Sequence, residues 1–169
     1  MTQPQTLNVC LGDDAQFDRP AIDDLLVEYA WRLDNDKLEE WTELFTEDAR
    51  YEIVPRDNHD RGYPLALISC KNRAMLRDRI LALRMANEYN IHYDRHIIGA
   101  AKIMEASENT WKIEANYLVV QTDQGGNSKV FSTGVYKTTL ERRDGQLLIK
   151  EKIVVADTFC VPTLIATPL

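Results

Sequence analysis

The chain has 169 residues, 44% of them apolar, with 20 Lys and Arg against 27 Asp and Glu and a formal charge of −7. That length is one domain's worth of chain, and a chain of ~150 residues buries about 68–70% of the surface it exposes when unfolded, so a core closes without a disulfide or structural metal. The acidic balance and the lack of a basic run exclude nucleic acid as a partner, because phosphate binding rests on Lys and Arg releasing counterions.

No stretch approaches the ~20 consecutive apolar residues of a membrane-spanning helix, so no membrane partner is expected. Residues 1–5, Met-Thr-Gln-Pro-Gln, lack the basic start and apolar centre of a signal peptide, which places the protein in the cytoplasm. Cys10, Cys70 and Cys160 are odd in number with no short repeated spacing, as expected of reduced thiols.

Residues 1–17 show no sustained period and read as an N-terminal arm, with residues 18–169 as one domain. Asp18-Arg19-Pro20 resembles a helix start. Ile22, Leu25, Leu26, Tyr29 and Leu33 then follow at i, i+3, i+4, i+7 and i+11, one face of an α-helix. Asn35 and Asp36 break it and can cap a shorter helix carrying Leu38, Trp41, Leu44 and Phe45 on one side.

Tyr51, Ile53 and Val54 predict a short strand stopped by Pro55, followed by a polar loop over residues 56–64 and an apolar run over 65–69. A third helix has Met75, Leu76, Ile80 and Leu83 inward and Arg73, Arg77, Asp78 and Arg84 outward. After Asn90 the period becomes two, and residues 95–105, 111–122, 130–142 and 147–156 are consecutive strand candidates. Asp144-Gly145 between two alternating runs is a hairpin signal, since both central turn residues need positive φ. Helices first and short-turned strands afterwards give an α+β fold, its helices packed on one face of a curved antiparallel sheet.

The densest chemistry is Asn90-Ile91-His92-Tyr93-Asp94-Arg95-His96. Two histidines and a carboxylate are the elements of a non-haem iron site. On a strand, however, His92 and His96 stand ~13 Å apart at about 3.3 Å per residue, and on a helix Asp94 would lie opposite both histidines. Neither local geometry closes a metal site. A second constellation joins Asp34, ending the first helix, to His96, beginning the sheet. With Tyr29, Tyr51 or Tyr117 nearby, such a pair suits general acid–base work on a small hydrophobic substrate. It equally suits two buried groups that satisfy each other. Trp31, Trp41 and Trp111, with Met75 and Met85, follow the apolar periodicity and read as core or interface residues. There is no Cys-x-His paired with Cys-x-x-His to ligate a Rieske cluster, no G-x-S-x-G elbow and no Walker loop.

Three ordered strings add a resemblance: residues 41–51 (WTELFTEDARY), 75–84 (MLRDRILALR) and 93–99 (YDRHIIG). Phe131-Ser132-Thr133-Gly134-Val135-Tyr136 and the run from Asp144 through Ile149, Lys152 and Asp157 to Leu169 continue it. Together they resemble the small (β) subunit of aromatic-ring-hydroxylating (Rieske non-haem iron) dioxygenases, in look nearest the terephthalate and salicylate type that acts on aromatic acids.

The resemblance implies a cone-shaped, nuclear-transport-factor-like (cystatin-like) fold, a curved mixed and mostly antiparallel sheet with three helices in the N-terminal half. It implies a structural subunit in aromatic-acid catabolism that supports assembly of a catalytic α subunit. The α subunit would carry the Rieske [2Fe-2S] cluster and the mononuclear iron, and the complex would hold three of each chain. No catalytic, cofactor-binding or metal residue is implied in this chain. Trp41, Asp48, Asp94, Arg95, His96 and Asp157 are the implied structural or interface positions. Trp31, Tyr63, Tyr89, Tyr93 and residues 161–169 are further candidates for a partner surface, the last of which could instead cap its own sheet. The competing expectation is a free-standing cone-fold isomerase, dehydratase or epoxide hydrolase using Asp34, Asp94 or His96.

Overall fold

A computed structural model describes residues 19–158 and 165–169. The expected arm at 1–17, Cys10, Cys160 and residues 161–164 lie outside the described residues. Helix α1 (Arg19–Asp34) buries Ile22, Leu25, Leu26, Tyr29 and Leu33, the face its spacing predicts. Asp36, at φ 57°, turns the chain out of it, and the Lys37 N–H donates to the Arg32 carbonyl at 2.8 Å.

Helix α2 (Leu38–Thr42) is only five residues long. Leu44 and Phe45 lie beyond the helix: Leu44 is in the turn, its carbonyl accepting from the Ile149 N–H at 2.8 Å, and Phe45 opens strand β1 (Phe45–Pro55). That strand starts six residues before the predicted one, with a register irregularity between Phe45 and Arg50. Where a polar loop was expected, Pro55 sets φ −58° for a short helix α3 (Arg56–Asp60). Among the described residues there are thus four helices, α3 being additional to the three expected.

Strand β2 (Ile68–Cys70) pairs with β1. Helix α4 (Arg73–Met85) is capped by Asn72, whose Oδ1 accepts from the Met75 N–H at 2.9 Å. It buries Leu76, Ile80 and Leu83, whereas Met75 lies on the partly exposed side, Met85 is exposed, and Trp31 is half-exposed on α1. Arg84 ties α4 to the α1–α2 corner, reaching Asp36 at 2.8 Å and Glu39 at 2.9 Å, while Arg77 reaches Glu43 at 2.8 Å.

The predicted strand over 95–105 is two strands, β3 (His92–Ile98) and β4 (Lys102–Ala106). The break falls at Gly99, whose N–H donates to the Asn116 carbonyl, and both strands use one edge of the long β5 (Thr110–Asp123). Strands β6 (Ser128–Arg143) and β7 (Gln146–Ala156) complete the antiparallel meander, and their hairpin turns at Asp144 (φ 50°) and Gly145 (φ 81°), as that dipeptide predicts.

The strand order is β2-β1-β7-β6-β5-β3, with β4 beside β5. Strand β1, formed before α4, lies parallel to β7, which makes the sheet mixed. The short strand expected at residues 51–54, ahead of the third helix, is the C-terminal part of β1. Bulges at Val119/Val120 and Thr139/Leu140 bend β5–β7. The helices pack on the concave face, and the described core residues form one cluster. Among the described residues no helix is long and apolar enough to cross a membrane.

Gly134 is where the strands approach most closely: a Cβ there would lie 2.0 Å from the Val155 carbonyl oxygen and 3.0 Å from the Tyr117 ring. Gly134→Ala is expected to destabilise the protein by about 1–3 kcal/mol or more in a urea titration, because the obstacle is main chain and cannot rotate away.

Candidate functional site

The sequence made Asp34 and His96 a candidate pair without showing that they meet, and the fold brings them together where the end of α1 meets β3. His96 Nδ1 lies 2.6 Å from Asp34 Oδ1, and the His96 main-chain N–H is 3.1 Å from each carboxylate oxygen. A carboxylate only accepts, so Nδ1 carries the proton and donates, leaving Nε2 as the second ring nitrogen. Nε2 is buried and has no hydrogen-bond partner among the described residues. Arg95 completes the corner, Nη1 donating to the Asp34 carbonyl at 3.1 Å and to the Asp94 carbonyl at 2.8 Å.

Asp94 faces the same side of β3 but does other work. It accepts from Gln121 Nε2 at 3.2 Å and Thr167 Oγ1 at 2.9 Å, and His92 Nε2 stands 3.5 Å away. His92 and His96 therefore belong to two separate networks, each with its own carboxylate. Among the described residues no group of three or more His, Cys, Asp or Glu is arranged to hold a metal ion, so the iron-site geometry of His92, Asp94 and His96 does not form.

Trp41 is fully buried, edge-to-face with Phe45 at 4.9 Å, Tyr51 at 5.6 Å and Tyr29 at 5.8 Å, so it faces the cone interior and not a partner. Asp48 is exposed and pairs with Arg143 at 2.9 Å. Asp157 receives Arg56 Nε at 2.6 Å, and its N–H donates to the Thr133 carbonyl at 2.8 Å.

The interior of the cone decides what the Asp34–His96 pair can do. Tyr117 and Tyr136 stack at 4.3 Å, and Tyr29 meets Tyr136 edge-on at 5.9 Å. Lys152, fully buried, lies over the Tyr136 ring at 3.7 Å and the Tyr29 ring at 4.1 Å, with Thr138 Oγ1 at 3.5 Å. Burial pushes the Lys152 amine well below its ordinary pKa, and it makes no ion pair among the described residues. The same desolvation raises Tyr29, Tyr51 and Tyr136, and pushes Tyr117 up to about 12, so these phenols stay protonated.

The Leu169 main-chain oxygen accepts from the Tyr29 hydroxyl at 2.6 Å and the Tyr51 hydroxyl at 3.0 Å. The void left beside it, against Phe131, Ser132 and Ile165, is about 10 Å³. A site for a small organic substrate needs ~300–1,000 Å³. A groove of about 400 Å³ between α1 and β3 is lined by Leu26, Val27, Ile98 and His96 among others. The His96 side chain is only 1% exposed, however, so what it shows the groove is main chain. The imidazole is thus enclosed and hydrogen-bonded to Asp34 through Nδ1.

Sequence reasoning missed the burial of Lys152; for the segment ending at Leu169 it offered capping of the chain's own sheet as one alternative, without the two phenols that hold it. The alternation of β7 put Lys152 on the buried face of Val154 and Ala156, and that was the available signal.

The SnoaL-like domain family matches residues 16–152. The small subunit of anthranilate 1,2-dioxygenase from Burkholderia cepacia is 45% identical over 83% of this chain and 88% of its own. The chain belongs to the small subunits of aromatic-ring dioxygenases. The β 2 subunit of the terminal oxygenase component of terephthalate 1,2-dioxygenase from Comamonas sp is 36% identical over 83% of this chain and 92% of its own. A crystal structure of a β subunit assigned to the aromatic-ring-hydroxylating dioxygenases, from Novosphingobium aromaticivorans, superposes with a TM-score of 0.82 at 37% identity, covering 89% of this chain and 96% of that one. The fold is thus the SnoaL-like, nuclear-transport-factor-like cone that the resemblance implied.

Two outcomes follow from the buried polar groups. Asp34→Ala leaves two His96 donors without their acceptor and is expected to cost about 1–3 kcal/mol in urea unfolding, Asp34→Asn costing less. Lys152 binds its proton more weakly folded than unfolded, so wild-type stability falls as pH drops below the unfolded lysine value of ~10.4. Lys152→Met should therefore be the more stable protein at pH 7. Its advantage should shrink by up to about 1.4 kcal/mol per pH unit as the pH is raised to 9.5, read from paired denaturation curves.

Proposed function

We propose that this chain is the non-catalytic small subunit of a multicomponent ring-hydroxylating oxygenase acting on an aromatic carboxylate in the cytoplasm. The large α subunit carries the Rieske cluster and the mononuclear iron, and inserts oxygen with electrons delivered from a nicotinamide cofactor through a reductase. The small subunit holds active sites on neighbouring large subunits in register, three chains of each kind to a complex.

The observation that carries this reading is the filled cone. A chain belonging to the dioxygenase small subunits has its concave face packed with aromatic rings, leaving a void of about 10 Å³ there, and keeps the His96 side chain only 1% exposed beside the groove of about 400 Å³. The exterior supports the same reading. Trp31, Tyr63, Tyr89, Tyr93, Ile97 and Val130 are each at least 40% exposed, a surface that an obligate partner covers. Arg95, Asp94 and His96 then serve as anchors for β3, the edge strand nearest α1.

Co-expression with the large subunit tests the reading. The expected result is co-purification, iron in proportion to the large subunit, and no turnover of 2-aminobenzoate or terephthalate by the isolated small chain. Asp94→Ala and His96→Ala should lower the yield of complex while leaving iron per assembled large subunit unchanged. A soluble, fully assembled His96→Ala complex that has lost all turnover would sink the proposal.

A further inference from the structure

Residues 165–169 cross the mouth of the cone without regular secondary structure, yet Ile165, Ala166 and Leu169 are at most 8% exposed. Side chains hold them, not a strand ladder. Arg79 of α4 donates to the Ile165 carbonyl at 3.0 Å, and Thr167 donates to Asp94 of β3 at 2.9 Å. Tyr29 of α1 and Tyr51 of β1 converge on the Leu169 oxygen, and Tyr51 in turn accepts from the Leu169 N–H at 3.0 Å. A segment held by five hydrogen bonds to four side chains, Arg79, Asp94, Tyr29 and Tyr51, and by no strand ladder, can leave without disturbing the sheet beneath it.

What it covers has the composition of a binding site. Two phenol donors are aimed at one acceptor oxygen, with Leu67, Phe131 and Ala156 around the apolar side. The Lys152 amine, with no carboxylate partner among the described residues, lies against the face of the Tyr29 ring whose hydroxyl makes the shorter of the two bonds. The Tyr136 hydroxyl and Trp41 Nε1 are buried nearby in the aromatic cluster with no partner among the described residues. Buried donors without acceptors are costly in a purely structural core and ordinary in a ligand site. We propose that residues 165–169 act as a ligand in cis, occupying a site that takes a compact apolar carboxylic acid with its carboxylate between Tyr29 and Tyr51. The proposal concerns this chain alone and stands or falls separately from its assignment as an oxygenase subunit.

The test uses the full chain with Leu169→Gly, which loosens the plug and keeps both phenols, and 4-methylpentanoate as the probe, because it matches the leucine side chain joined to a carboxylate. Amide exchange over 165–169 should speed up at least tenfold while the strands keep their protection. At 10 mM the probe should raise the Tm of Leu169→Gly by several degrees, and it should leave Leu169→Gly/Tyr29→Phe/Tyr51→Phe unchanged. Unaltered exchange, no thermal shift, or an equal shift in the variant lacking both hydroxyls each overturns the proposal. If Leu169→Gly does not fold, Thr167→Val, which loses only the bond to Asp94, is read by the same two measurements with the same deciding outcomes.

Discussion

A sheet this strongly curved creates a hollow, and the way the hollow is filled constrains everything else in the molecule. Here it is filled by rings: Tyr29 from α1, Trp41 from α2, Phe45 and Tyr51 from β1, and Tyr117 and Tyr136 from the meander. Each aromatic side chain buries ~150–250 Å², and edge-to-face pairs add ~0.5–1.5 kcal/mol beyond area. The contributing elements lie far apart in the chain, so the ring cluster both closes the cone and fixes the helices over it. Filling the hollow in this way costs it the open space that chemistry on a bound molecule requires.

The Asp34–His96 pair shows how the same residues change meaning with their surroundings. A carboxylate orienting an imidazole is half of many acid–base devices, and its 2.6 Å contact is as short as such a device needs. The second requirement is a reacting atom within reach of Nε2, which is buried and has no hydrogen-bond partner among the described residues. The contacts that the structure does show make the pair a pin. The carboxylate takes both the main-chain N–H and the ring of one β3 residue, and so sets where the edge strand meets the end of α1.

Much of this was legible in the sequence where the signal is local. The apolar faces of α1 and α4, the run of strands after Asn90 and the Asp144-Gly145 turn follow from periodicity and turn chemistry, whereas Asp34 and His96 were only a candidate pair until the fold joined them. Non-local features were hidden. Strand β1 was read as four residues because Glu47, Asp48 and Arg50 interrupt its apolar pattern, and nothing in its own alternation reveals a parallel partner a hundred residues away. Phe45 fits a helical face by spacing, and pairing with β7 moved it to the sheet. Lys152 sat on a buried face in plain view, but lysine is so rarely fully buried that charge outweighed period. A main-chain oxygen held by two phenols, as at Leu169, leaves no trace in residue type at all.

The edges of the sheet complete the argument about where this protein meets others. Strand β2, only three residues long, blunts one edge. At the other, β3 shows Tyr93 and Ile97 outward while His96 and Asp94 turn inward to α1 and residues 165–169. A monomer gains nothing from two large apolar side chains on an exposed edge strand. A subunit whose interior is committed to packing, and whose inward-facing polar groups are committed to holding that edge in place, has its outer surface left for recognition. The networks at Asp34 and Asp94 tie β3 to the end of α1 and to residues 165–169, and so fix where that edge of the sheet lies.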